Sequence, residues 1–173
     1  SCVAVGEIGL DYAPDNADRD AQRAAFVAQL DTARNRGLPV VIHCRKAFDD
    51  LLSILRERAV SRGVLHSCSC SAEQIDPFLD LGLYVSFSGV VTRTRAKKVK
   101  KLAAAVPLDR MIAETDSPFI GTNAHPAPSS EPGDTAEVVA ALAVIRGLPA
   151  DDLAAHTTRN ARDLFALPLP GPT

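Results

Sequence analysis

The sequence has no tryptophan, a single methionine and only 5% aromatic residues. Stacking of nucleobases on rings is therefore not suggested, and any nucleic-acid contact has to come from charge. Net charge is also small: 19 Lys and Arg against 21 Asp and Glu leave −2. No global basic field advertises a polyanionic partner, so a local patch must carry such a contact. Cysteine is too sparse for a disulfide scaffold, with only Cys2, Cys44, Cys68 and Cys70 in 173 residues. Four thiols in a helix-rich chain suit a reducing, cytoplasmic setting. No apolar run approaches the roughly 20 residues that span a bilayer, and no membrane association is expected. There is neither an initiator Met nor a basic, apolar, small-residue leader.

What remains is ordinary for a globular chain of one-domain length, 46% hydrophobic and 23% charged. Five short β-branched runs, CVAVGEIG, PVVIHC, GVLHSC, LYVSFSG and RMIAETD, alternate with longer amphipathic segments. In the first such segment Ala25, Phe26, Gln29, Leu30 and Ala33 recur at helical spacing, and Gly37-Leu38-Pro39 stops the helix. Asp49, Leu51, Leu52 and Leu55 behave likewise in the second, and Ser71 with Gln74 reads as a capping box that starts the third. Strand then helix, repeated, predicts a parallel α/β sheet covered by helices. After ETDSP the pattern breaks into the proline-rich loop FIGTNAHPAPSSEPGD. Two or three helices are expected to follow: Asp134 to Ile145, LPADDLAAH and TTRNARDLF. The last residues, LPLPGPT, read as a Pro-rich tail.

Four of the five runs finish with a metal-competent residue: Glu7, His43, His66 and Asp116. Strand C-termini of a parallel sheet share one face, where active sites of such folds form. Singly, each residue has a structural explanation, as a hydrogen-bonded His or a turn Asp. Together they predict a site for Zn, Mn, Fe or Mg. A metal there lowers the pKa of a bound water and polarises a phosphoryl or carbonyl oxygen. HSCSC, at His66 to Cys70, invites a thiolate-zinc reading if the strand continues; the alternative is two small semi-buried thiols. RTRAKKVKK, Arg93 to Lys101, holds six basic residues and no acid. It is either a phosphate-contacting patch or a solvated helix face.

VGEIGLDY, LPVVIHCRKAFDD, GVLHSCS, YVSFSGVVT, PLDRMIAETDSP and NARDLF resemble, in order, blocks of the TatD family of metal-dependent hydrolases, deoxyribonucleases of the amidohydrolase type. The resemblance runs from Ala4 to Phe165. It implies a (β/α)8 TIM-barrel-like fold, here with about five of the eight parallel strands, over residues 1–167, and a tail at 168–173. It further implies two divalent metal ions per site (Zn, Mg or Mn), with Glu7 bridging them, His43 and His66 on one and Asp116 on the other. Asp116 would also orient or deprotonate the nucleophilic water, making Asp116 and Glu7 the catalytic pair. Arg45 would bind an anionic substrate group, DNA being the implied substrate, and Asp11 would fix the loop.

The family's opening His-x-His pair has no counterpart: His125 and His156 are the only further histidines. The resemblance therefore makes this the C-terminal two-thirds of a longer barrel, with its first and last strands as sheet edges. Other departures are Cys68 and Cys70, which replace an aromatic and a glycine, and a loop that keeps Glu131-Pro132 but lacks the family's Arg. The leading expectation is a phosphodiesterase acting on DNA. Alternatives are an amidohydrolase-type lactonase, amidase or phosphotriesterase, and a catalytically silent truncated domain. Oligomeric state is not specified by the sequence.

Overall fold

In the computed structural model, residues 2–16 and 18–168 are described; the tail expected at 168–173 lies outside them apart from Pro168. Five strands, β1 (Val5–Asp11), β2 (Val40–Arg45), β3 (Gly63–Leu65), β4 (Tyr84–Phe87) and β5 (Met111–Ala113), form one sheet in sequence order. Every pairing is parallel. The order places β1 and β5 at the edges, as expected for a segment of a TIM-barrel-like sheet. The helices are α1 (Arg19–Asn35), α2 (Phe48–Glu57), α3 (Asp76–Leu79), α4 (Lys97–Ala105), α5 (Thr135–Arg146) and α6 (Ala150–Phe165).

Alternation along the strands separates two faces. Ile8, Leu10, Val40, Ile42, Leu65, Val85, Phe87 and Met111 point toward the helices and are buried. They meet Phe26 and Leu30 of α1, Leu51 and Leu55 of α2, Leu102 of α4 and Leu142 of α5 in one core. The other face carries a smaller cluster, Val64 and Ile112 with Leu164, flanked by Val41, Tyr84 and Phe165. The last turn of α6 thus covers the lower part of the face whose upper part carries the acids and histidines.

α1 starts where Asp18 accepts from the amides of Asp20 and Ala21, satisfying two orphan donors. The Ser71–Gln74 capping box forms, but it opens a 3₁₀ turn, Ala72–Gln74, that leads into the four-residue α3 rather than a long helix. The two segments expected after Pro149 are one continuous 16-residue helix, α6. No Gly or Pro separates His156 from Thr157, so nothing interrupts the backbone hydrogen bonds. No described helix is long and apolar enough to cross a membrane.

One buried polar residue ties α6 to the site-bearing edge. Asn160 Nδ2 donates to the carbonyls of Leu108 (2.7 Å) and Met111 (2.8 Å), at the start of β5. Asn160 is 4% exposed, so truncation strands two buried acceptors. Asn160→Ala is expected to cost about 1–3 kcal/mol in urea unfolding, and an unchanged midpoint would mean that water or a neighbour replaces the amide.

Candidate metal centre

The sheet brings Glu7, Asp11, His43, Arg45, His66 and Asp116 to one end, but not all at strand ends as the sequence suggested. Glu7 is the third residue of β1, and His43 lies two residues before the end of β2. The β1–β2 register slips between Val5 and Ile8, so Gly6 and Glu7 share one position opposite Val41. Such a bulge re-aims a side chain, and here it turns Glu7 toward His43. His66 follows β3 directly, while Asp116 stands three residues beyond β5. Lys46, Ser67 and Asp116 have left-handed backbone, with φ of 57°, 41° and 59°. Non-glycine residues in this region carry local strain, and three of them follow β2, β3 and β5 around the same opening.

Glu7 sits between the two histidines. Its Oε1 is 2.7 Å from His43 Nδ1, and its Oε2 is 3.9 Å from His66 Nε2. His66 Nε2 is also 3.6 Å from Asp116 Oδ2. On its other side His43 Nε2 faces Asp11 Oδ2 at 3.1 Å. Asp11 is itself fixed by the Ala13 amide, which donates to Oδ1, and by backbone exchange with the Gln22 side chain. Arg45 reaches within 4.0 Å of Asp11 Oδ2 and is otherwise exposed. His43, Cys44, Arg45, His66, Asp116 and Ile120 are among the lining of a shallow cavity of about 220 Å³.

Glu114 is the residue that sequence reasoning missed. Its Oε2 lies 2.6 Å from His66 Nδ1, and its Oε1 accepts from the Ser67 amide (2.7 Å) and from the Ser86 hydroxyl. The signal was in ETD: a second carboxylate stands two residues before Asp116, just past the end of β5. Nδ1–H donation to Glu114 directs the other ring nitrogen, Nε2, toward Glu7 and Asp116.

Burial would push His66 down, but Glu114, then Glu7 and Asp116, outweigh it and hold its pKa up to about 9. Burial pushes Asp116 up against the pull of His66, and the charges of Glu114 and Glu7 add to the rise, leaving it above its ordinary value. Burial also raises Glu114, but hydrogen bonds from His66, Ser86 and Ser67 win and leave it lowered. For Asp11, burial loses to the Ala13 amide, His43 and Arg45, and the pKa falls. Four carboxylates thus gather around two imidazoles, with Arg45 as the one guanidinium paired to them among the described residues. This donor set, His nitrogen plus carboxylate oxygen with an excess of negative charge, fits a divalent cation.

HSCSC does not form a thiolate site. β3 stops at Leu65, and the left-handed Ser67 turns the chain, so His66 and the cysteines part company. Cys68 and Cys70 are buried in the core with their sulfurs 3.4 Å apart. All four cysteines are free, and burial pushes the Cys44 thiol up to about 12. In the basic run, Arg93 donates to the Gly121 carbonyl at 3.2 Å and Lys101 pairs with Glu73. Arg95, Lys97 and Lys98 are exposed at and before the start of α4, whose preceding 3₁₀ turn contributes Val90 to the cavity wall. His156 lies away from the site, in α6 beside Arg159.

The chain belongs to the TatD related DNase family, whose model matches residues 1–166. It is 39% identical over 165 residues to the uncharacterized metal-dependent hydrolase YcfH of Escherichia coli K12, covering 94% of this chain. It is 35% identical over 176 residues to the 3′-5′ ssDNA/RNA exonuclease TatD of Klebsiella pneumoniae, covering 98% of this chain and 67% of that protein. The crystal structure of YJJV, a TatD homologue from Escherichia coli K12, matches with a TM-score of 0.90 at 35% identity, over 96% of this chain and 64% of that one. The chain spans 62% of the length of YcfH.

Proposed function

We propose that this chain forms the greater part of a metal-dependent hydrolase that cleaves phosphodiester bonds of DNA. The observation that carries this reading is the placement of His66 Nε2 between Glu7 and Asp116, at 3.9 and 3.6 Å, with Glu114 behind the ring. The exonuclease name belongs to the TatD relative and favours a nucleic-acid substrate over a lactone, amide or phosphotriester.

Divalent metal ions (Zn, Mg or Mn) held by Glu7, His43, His66 and Asp116 would supply a water of lowered pKa and offset charge on the phosphoryl oxygens. The residues do the rest. Asp116, with its raised pKa, accepts the proton of the attacking water. The water oxygen bonds to phosphorus as the bond to the leaving oxygen breaks, and the leaving oxygen takes a proton from solvent, giving a phosphate monoester and a free hydroxyl. Arg45 holds non-bridging oxygens with its planar fork. Glu114 keeps the His66 ring in place through Nδ1. The exposed Arg95, Lys97 and Lys98 offer further phosphate contacts, in a sequence-independent and salt-sensitive way. The free cysteines suit a reducing cytoplasmic setting.

The test is a substrate panel run on the metal-supplemented chain: end-labelled single- and double-stranded DNA beside a lactone, an amide and a phosphotriester. Metal-dependent DNA cleavage that weakens steeply with salt is the expected result. Turnover of only the lactone, amide or phosphotriester would transfer the chemistry to another substrate class. No turnover with metal bound would leave a silent domain.

A further inference from the structure

His125 took no part in the site above, yet it does not stand alone. Its Nδ1 lies 2.5 Å from Asp134 Oδ1 and 3.4 Å from Glu137 Oε1. One ligand atom from each of the three residues falls within 4.8 Å of the other two. Asp134 immediately precedes α5 and Glu137 lies in its first turn, three residues on, so both face one way. His125 arrives from the proline-rich loop.

A plain His–Asp ion pair explains part of this. It does not explain why Glu137 adds a second carboxylate to the same ring nitrogen. Nor does it explain the gathering of negative charge: Asp134, Glu137 and Glu131 all act on His125. Asp134 is 4% exposed and already accepts the Glu131 amide at Oδ2, leaving Oδ1 for the cluster. Beside it Ser130 is 6% exposed, and its hydroxyl lies against the Asp134 carboxylate and helps to hold that carboxyl's pKa down. Two carboxylates and an imidazole whose ligand atoms meet at one point, with a hydroxyl beside them, are a donor set that suits a cation.

We propose that His125, Asp134 and Glu137 form a second divalent-cation site, apart from the one facing Glu7 and Asp116, for zinc or an ion of similar borderline softness. One neutral imidazole and two carboxylates match the charge of such an ion, and water or Ser130 Oγ supplies a fourth donor. The role is structural. The ion joins the loop after Asp116 to the start of α5. That loop also contributes Ile120 to the cavity wall, and just beyond it the Gly121 carbonyl accepts from Arg93 and the Asn123 amide donates to Thr92. The loop is tightly folded there: a Cβ on Gly121 would lie 2.3 Å from the Ala127 nitrogen.

Zinc titration followed by calorimetry tests this on a chain whose other site is removed by His43→Ala and His66→Ala. One equivalent of Zn²⁺ is expected to bind, and adding Glu137→Gln or His125→Ala should weaken it by roughly 10- to 100-fold or more. Should the double variant fail to fold, the unaltered chain and His125→Ala are compared for total zinc; His125 is half-exposed, and its loss should remove one equivalent. Bound zinc should also slow proteolysis within residues 119–131. Unchanged zinc affinity in Glu137→Gln, or unchanged stoichiometry in His125→Ala, would overturn the proposal and leave an ion pair.

Discussion

Asp116→Asn should lower turnover roughly 10²- to 10⁴-fold while leaving the fold intact. The substitution keeps the shape and removes the ability to accept a proton. Asn also tolerates the left-handed backbone at this position, where φ is 59°, better than most residues. Asp116 is partly exposed and its neighbour is His66 at 3.6 Å, so no buried partner is stranded. The loss should fall on kcat rather than KM, with an unchanged urea midpoint. Glu7→Ala is the companion, since Glu7 touches both histidines, and it should reduce bound metal measured by elemental analysis. Activity of Asp116→Asn within a few-fold of the parent would assign the base elsewhere.

Gly9→Ala should destabilise the chain by more than about 4 kcal/mol, or prevent its folding altogether. A Cβ at Gly9 would lie 2.0 Å from the His43 carbonyl oxygen and 2.9 Å from its carbon, on backbone with φ of 149°. Backbone cannot give way there as a flexible side chain would. Relief requires β1 to move off β2, which breaks the Gly9–His43 pairing and carries Glu7 away from His43. Urea unfolding measures the loss, and a midpoint near that of the parent would show that β1 can shift without cost.

The repeating strand–helix order was legible because each helix is amphipathic and each strand is short, apolar and bounded by breakers. Glu7, His43, His66 and Asp116 were legible as a group because a parallel sheet sends its ends one way. Three features were not. The bulge at Gly6–Glu7 depends on the partner strand, so nothing in β1 alone announces it. Glu114 looked like one more residue before the aspartate; its importance comes from His66, Ser67 and Ser86, which are remote in sequence. Whether the chain closes in two or three helices was left open by the sequence; the last two segments join in α6, which Asn160 ties to Met111 at the start of β5. HSCSC misled because strand alternation holds only while the strand lasts, and β3 ends at Leu65.

β1 and β5 are the outermost strands of the described sheet; β1 carries Glu7, β5 leads into Glu114 and Asp116, and His66 directly follows the middle strand. Outer strands fray first, through local openings far less costly than global unfolding. A cation gripped by Glu7, His66 and Asp116 would therefore act as a cross-sheet stitch. Amide hydrogens of β1 and β5 should exchange more slowly when it is present, with those of β3 little affected. Occupancy would be written into the breathing of the sheet margins, so that a site for chemistry also sets how often the edges open.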